Sequence, residues 1–543
     1  MNVRKIVITA TAAAALCSGL LTGASTAAAA TGLTAAGAAS SGGTWGRAEE
    51  VPGTAALNMG GDAETESVSC GAAGNCSAGG YYIAGSGAVQ AFVAGEAGGS
   101  WGTAKEVPGS AALNKDGGAA ILSVSCASAG NCSAGGDYAD GSAHQQALVA
   151  GEVNGSWGKA EEVPGTAALN KGGNAAIISL SCASAGNCSA GGYYTDSSKH
   201  QQVWVAGETD GVWGTAKEIP GSAALNTADA YLNSVSCGAA GNCSAGGYYT
   251  DHGRLQAFVA GEASGSWGTA KEVPGTAALN KDGGAGINSL SCASAGNCSA
   301  GGFYTDGSGQ LQAWVAGEAG GSWGTAKEVP GAGALNKSGD AQITAVSCGS
   351  AGNCSAGGFY TDGSFAEQVF VVGEAGGSWG TAREVPGSAA LNKRGAADFQ
   401  SVSCASAGNC SAGGFYTDGS FAEQVFVVGE TSGTWGTAGE VPGSAALNQA
   451  GAADLQSVSC ASAGNCSAGG AYEASVGIGE AYVVSEVNGT WRSAEEVPGS
   501  AALNKGASAQ VNSVSCASPG ACSAGGSYLD SLHNSQAFVV GET

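Results

Sequence analysis

Positive charge is scarce in this sequence: 19 Lys and Arg stand against 43 Asp and Glu, giving a formal net charge of -24. Nucleic acids and anionic membrane surfaces both demand a cationic face, so neither is expected as a partner. Histidine is rarer still, at 4 residues, and proline is limited to 10. No segment keeps a helical hydrophobic period for long. No apolar run beyond the N-terminal segment is long enough to span a bilayer. Helices that cross a membrane are therefore not expected after that segment.

What is abundant is glycine, at 97 residues, and cysteine, at 19. So much glycine is compatible with disorder, but regular hydrophobic runs and 11 Trp argue for a packed protein. The opening "MNVRKIVITATAAAALCSGLLTGASTAAAA" carries Arg4 and Lys5, then an apolar stretch, then small residues ending at Ala30. It reads as a secretory signal peptide over residues 1–30, followed by a flexible linker over 31–43. Cys17 lies in that leader with Leu16 before it, where a lipoprotein signal needs a small residue. The remaining 18 cysteines are an even number in an export context, which permits disulfides and makes the product secreted and extracellular.

From residue 44 to 543 the chain is one unit repeated nine times. The Trp of a "WG"-type motif recurs at Trp45, Trp101, Trp157, Trp213, Trp267, Trp323, Trp379, Trp435 and Trp491. The interval is 56 residues each time except once, when it is 54. One unit reads as four short strands: A "AAILSVSC", B "NCSAGGDY", C "QQALVAGE" and D "SWGKAEEVP". Gly and Asn in "ASAGN" suit the A–B turn, Pro-Gly opens the link from D to the next A, and "TAALN" in that link has the length of a single helical turn. Four antiparallel strands per unit is the blade of a β-propeller, so the predicted fold is all-β with nine four-stranded blades. The ends agree. The chain starts with a spare strand D, "TWGRAEEVP", and stops after a strand C, "QAFVVGET". Docking the first on the last closes the ring and removes its open edge. A monomeric ring is expected.

Each unit carries two cysteines across the A–B hairpin. The pairs are Cys70 with Cys76, Cys126 with Cys132, Cys182 with Cys188, Cys237 with Cys243 and Cys292 with Cys298. Four more follow: Cys348 with Cys354, Cys404 with Cys410, Cys460 with Cys466 and Cys516 with Cys522. A structural zinc site needs four ligands, and each pair supplies two with almost no histidine to complete the set. The pairs are read as nine structural disulfides, each worth about 2 kcal/mol by loop entropy. No metal and no cofactor are expected.

The C–D turn "AGEAGGSW", Ala94 to Trp101, has an acid five residues before the Trp, Gly three before it and Ser immediately before it. This resembles the Asp-box, S-x-D-x-G-x-T-W, of sialidase-like propellers, with Glu96 and its equivalents where that family has Asp. The resemblance implies a structural role for the box. It does not extend to catalysis. Sialidases hold the substrate carboxylate with three arginines and use a Tyr nucleophile supported by Glu. Here the only arginines after the leader are Arg47, Arg254, Arg383, Arg394 and Arg492, in unlike positions of their units. No Ser-His-Asp set or singular carboxylate pair stands out either. A hydrolase or lyase on this scaffold is the weakest of the three function classes.

Two glutamates recur in the units, one in "GE" or "SE" (Glu96 to Glu542) and one in "EVP" or "EIP" (Glu50 to Glu496). A catalytic acid has no reason to appear nine times, so both are expected at solvent-facing turns and strand edges. Functional residues should lie where the units differ, in the B–C turns and D–A links, which emerge on one face. Candidate ligand-binding residues there are Tyr138, Asp140, His144, Tyr194, Asp196, His200, Asp251, His252, Asp306, Asp362, Phe365, Asp418 and Phe421. Aromatic rings stack on sugar faces and carboxylates accept hydroxyl hydrogen bonds; Asp-Gly also simply makes a good turn. The expected function is non-catalytic recognition of an extracellular glycan or protein, with a scaffold subunit of a larger assembly as the alternative.

Overall fold

The computed structural model describes residues 42–543; the leader and all but the last two residues of the linker lie outside them. Short runs such as "ILSVSC" and "NCSAGG" alternate small polar and apolar side chains, and they pair as antiparallel strands. Blade 1 has strand A at Ala63–Ala72, B at Asn75–Ile83 and C at Val89–Ala97. Blade 2 repeats this at Ala120–Ser128, Asn131–Ala139 and Gln145–Val153. Nine such sheets follow one another, so the propeller is nine-bladed. Its blades are mainly four-stranded, and the "AALN" segments form single helical turns, the first at Thr54–Leu57. Each turn is entered through a glycine with positive φ, 89° at Gly53, a conformation that a side chain disfavours.

Strand D differs from the expectation. It is broken into two pieces, Ser100–Trp101 and Lys105–Glu106 in blade 1, both paired with strand C. The cause is a competing partner. The Ala104 N–H turns away from the ladder and donates to the Pro52 carbonyl, in the link before the blade, at 2.6 Å. All nine units repeat this bond at 2.6 or 2.7 Å, with Ala48 donating to Pro498 at the closure.

Closure is as the ends of the sequence require. Glu49–Glu50 pairs antiparallel with strand C of the last blade, Ser535–Gly541, in the register Glu49 opposite Val539 and Glu50 opposite Phe538. Trp45 bridges Glu542, and Thr44 and Thr543 exchange both backbone hydrogen bonds. This seam has its own chemistry. The Trp45 indole N–H donates to Ser485 Oγ at 2.9 Å, and Ser485 donates to Glu542 at 2.7 Å. In the other eight units that indole N–H has no hydrogen-bond partner among the described residues.

The serines of "SVSC" and "NCS" join the blades. Ser69 Oγ accepts the Cys126 N–H of the next blade at 2.9 Å, and the pattern runs round all nine blades, ending with Ser515 and Cys70 at 3.0 Å. Strand A is therefore the one that meets its neighbours at the axis.

Each A–B hairpin is closed by the disulfide its spacing predicts. Cys70 is bonded to Cys76, Cys126 to Cys132, Cys182 to Cys188, Cys237 to Cys243 and Cys292 to Cys298. Cys348 is bonded to Cys354, Cys404 to Cys410, Cys460 to Cys466 and Cys516 to Cys522. The two cysteines of a pair stand directly opposite each other in the strand register, as Cys70 opposite Cys76 in blade 1. The staple therefore ties each blade to itself, and the serines tie it to the next.

The "GE" glutamates overturn an expectation. They are buried, from Glu542 at 3% to Glu96 at 6% exposed, rather than solvated. Each accepts a hydrogen bond from the strand B serine of the preceding blade, as Ser77 to Glu152 at 2.6 Å and Ser523 to Glu96 at 2.9 Å. The remaining seven interfaces have the same bond. A carboxylate on the inner side of a sheet is costly unless it finds such a donor, so this pair belongs to the blade interface. The "EVP" glutamates are half-buried: Glu106 accepts the Tyr82 hydroxyl at 3.0 Å and the Ala111 N–H at 3.1 Å, holding strand B and the helical turn together.

Candidate functional site

The B–C turns and the D–A links do lie together. Val89, at the start of strand C, forms a parallel bridge with Gly118 of the next link, and Gln145 does so with Asn174. The Asn of "AALN" explains why. Asn170 is buried; its amide donates to the Gln145 carbonyl at 2.8 Å and to Gln146 Oε1 at 3.0 Å, while its own oxygen accepts the Asn174 N–H. Gln146 in turn donates to Asp140 at 3.2 Å. Asn–Gln–Asp chains of this kind tie link, strand C and turn into one surface, here called the loop face.

The candidate aspartates are members of these chains. Asp140 Oδ1 accepts the Ser142 and His144 N–H groups at 2.8 and 3.1 Å. Asp196, Asp306, Asp362 and Asp418 make the same pair of bonds two and four residues on. Slight burial pushes the Asp140 carboxyl up, but the Ser142 N–H, the Gln146 amide and the His144 N–H outweigh it and hold it below the usual range. Asp251 is different: blade 4 turns on His252-Gly253, both with positive φ, the geometry of a two-residue hairpin.

Tyr138 and Tyr194 sit in the blade core, each 3% exposed, with hydroxyls donating to Glu162 and Glu218 at 2.9 and 2.8 Å. They are placed away from the rim. His144, His200 and His252 are exposed on three adjacent blades, the first 3.7 Å from Asp140 and the last against Asp251. Among the described residues the one cluster with metal-ligand spacing is Cys182, Cys188 and Glu208, whose sulfurs are joined in a disulfide and offer no thiolate.

Phe365 and Phe421 are on the rim, 80% and 70% exposed, and both hold positive φ, which is rare for a bulky side chain. The Arg394 guanidinium lies 4.0 Å from the Phe421 ring centre. They are not alone. Val476 and Leu532 occupy the B–C turns of the next two blades, and Met59 the following link, each more than 70% exposed. The same turns in blades 2 to 5 carry Ala143, Lys199, His252 and Gly309. Large apolar tips thus stand over blades 6 to 9 and into blade 1, with Arg394 and His533 exposed among them, and are absent from the same turns of blades 2 to 5.

A second set of residues on this face escaped the reading of the sequence. One position before the buried Tyr, strand B carries in turn Tyr81, Asp137, Tyr193, Tyr248, Phe303, Phe359, Phe415, Ala471 and Ser527. The aromatic members are all half-buried. Tyr81 leans over its own strand A toward the axis, its hydroxyl 3.3 Å from Glu64 and 3.4 Å from Asp62. The signal was present in the sequence, since this position varies while its neighbours in "NCSAGG" hardly do.

No protein-family model matches this chain, and no curated protein matches it. Solved structures similar to it include a Hadza microbial sialidase, 11% identical over 74% of this chain and 73% of that one, with a TM-score of 0.33. Sqt1 of Chaetomium thermophilum, bound to the N-terminus of ribosomal protein L10, is 11% identical over 81% of this chain and 98% of its own, with a TM-score of 0.39. A GH74 xyloglucanase from Xanthomonas campestris is 12% identical over 90% and 79%, with a TM-score of 0.33. At these values the likenesses carry nothing about ligand or activity, and the nine-bladed propeller rests on its own strand pairing.

Proposed function

We propose that this chain is a secreted, non-catalytic recognition propeller that engages an extracellular glycan or protein through its loop face. The observation that carries the reading is the break in ninefold symmetry. Core, disulfide, serine and glutamate positions repeat from blade to blade, whereas the rim presents large apolar tips on one side only. Exposed apolar groups grouped on one surface are the mark of an interaction site. Nine disulfides fit an oxidising compartment, and among the described residues no helix is long and apolar enough to cross a membrane. The repeated carboxylates have structural partners, which supports a role without catalysis.

The apolar arc equally suits a scaffold subunit, for which the partner is a protein with a matching apolar surface. Retention of the purified protein on a panel of immobilised glycans and microbial cell-wall material separates the two. Recognition of a surface ligand is expected to give weak, multivalent retention that Phe365→Ser with Phe421→Ser reduces several-fold. Failure on every surface, together with a stoichiometric complex from the culture medium that the same double variant breaks, would establish the scaffold instead.

A further inference from the structure

Aromatic residues of strands A and B in blades 4 and 5 form a patch distinct from the rim tips. Tyr231 and Tyr248 of blade 4 pack with ring centres 5.0 Å apart. Phe303 of blade 5 pairs opposite Gly286, and a Cβ placed on that glycine would meet the Phe303 ring at 3.0 Å and Tyr248 at 3.5 Å. The glycine thus lets Phe303 lie over the backbone beside Tyr248, bridging two blades. Tyr193 precedes this patch and Phe359 follows it, opposite Ala176 and Gln342. In blades 7, 8 and 1 the strand A residue at this position is acidic: Asp398 opposite Phe415, Asp454 opposite Ala471 and Glu64 opposite Tyr81. Glu64 is held in place by the Gln510 and Asn512 amides of the neighbouring blade at 3.2 and 2.8 Å.

We propose that the axial mouth of the loop face is a saccharide subsite selective for sugars without acid groups, neutral or amine-bearing. Half-exposed Tyr and Phe rings offer a stacking surface for the C–H face of a pyranose. The carboxylates of blades 7, 8 and 1 accept from hydroxyl or ammonium groups, since each has about four acceptor positions. The same carboxylates, in a chain of net charge -24, repel uronates and sulfated or sialylated glycans. This assignment rests on the recognition reading above and narrows it to one ligand chemistry and one part of the face.

The test is calorimetric titration of the full chain with cellohexaose, chitohexaose, its deacetylated form and an oligogalacturonate. Binding of at least one of the first three, with the oligogalacturonate silent, is expected. Phe303→Ala and Tyr248→Ala should each weaken it about tenfold, Phe303→Tyr should restore it, and Val212→Ser, at the exposed C–D turn of blade 3, should leave it unchanged. Near-ultraviolet circular dichroism verifies that the variants are folded. Equal binding of the acidic oligomer, or loss of binding on Phe365→Ser with Phe421→Ser but not on Phe303→Ala, overturns the axial assignment. Silence toward all four sugars with rim-dependent retention on a protein surface also overturns it, yet leaves the recognition reading standing.

Discussion

Glu152 and its eight equivalents sit between blades with a serine hydroxyl on each, and burial raises their carboxyls despite that donor. A raised value in the folded state means the folded chain holds those protons more tightly than the unfolded one. The resulting stabilisation is complete below the ordinary Glu range and is lost as pH rises through the raised values. The turn aspartates work in the opposite sense: their lowered values stabilise above the ordinary Asp range and fail as pH falls below it. Thermal melting with the disulfides oxidised should therefore show greatest stability at about pH 4 to 5. Glu208→Gln should flatten part of the decline toward neutral pH, and a maximum at about pH 7 or above would contradict the buried ring. A second residue-scale expectation concerns Tyr482, which is about 1% exposed and whose hydroxyl has no hydrogen-bond partner among the described residues. Phe occupies that position in five blades, so Tyr482→Phe should stabilise by about 1 kcal/mol in denaturant unfolding. Legibility at this scale was uneven. Cys132, Ala134 and Tyr138 stand at even spacing in strand B, so strand alternation puts all three on the core side and the burial of Tyr138 could have been read. The Ser77–Glu152 bond could not: nothing in the sequence marks two residues 75 apart as partners across a blade interface.

At the scale of the element, turn chemistry and the alternation of side chains specified strands A, B and C, and the "TAAL" turn, almost to the residue. Strand D was legible as a strand but not as two pieces, because its interruption depends on a carbonyl, Pro52, supplied from another blade. The closing strand shows how small departures from the repeat become specific. Ser485 stands where other blades have Gly, and Arg492 where they have the Gly of "WG"; both contact the N-terminal strand, Arg492 through the Gly43 carbonyl at 3.2 Å. Ser485→Gly restores the common sequence and removes the acceptor of the Trp45 indole. It should cost about 1 kcal/mol and speed amide exchange in Trp45–Ala48, measured by hydrogen–deuterium exchange. Unchanged exchange there would mean that the strand is held by backbone pairing alone.

At the scale of the whole molecule, period, cysteine spacing and complementary ends were enough to specify a nine-bladed ring, while the working surface was only half visible. The loop face was identifiable as the variable one; the apolar arc and the axial aromatic patch needed the blades in their order around the axis. Both depend on the ring being closed by its first strand, because an open array would expose the strand C edge at Phe538 and separate blade 9 from blade 1. Thr44 and Thr543 are exposed, lie directly opposite each other and share two backbone hydrogen bonds. The most direct measurement is disulfide formation in the double variant Thr44→Cys with Thr543→Cys, followed by peptide mapping of the monomer. A single added bond joining the N-terminal and C-terminal peptides within one chain is expected. Free thiols, or bonds only between chains, would contradict closure.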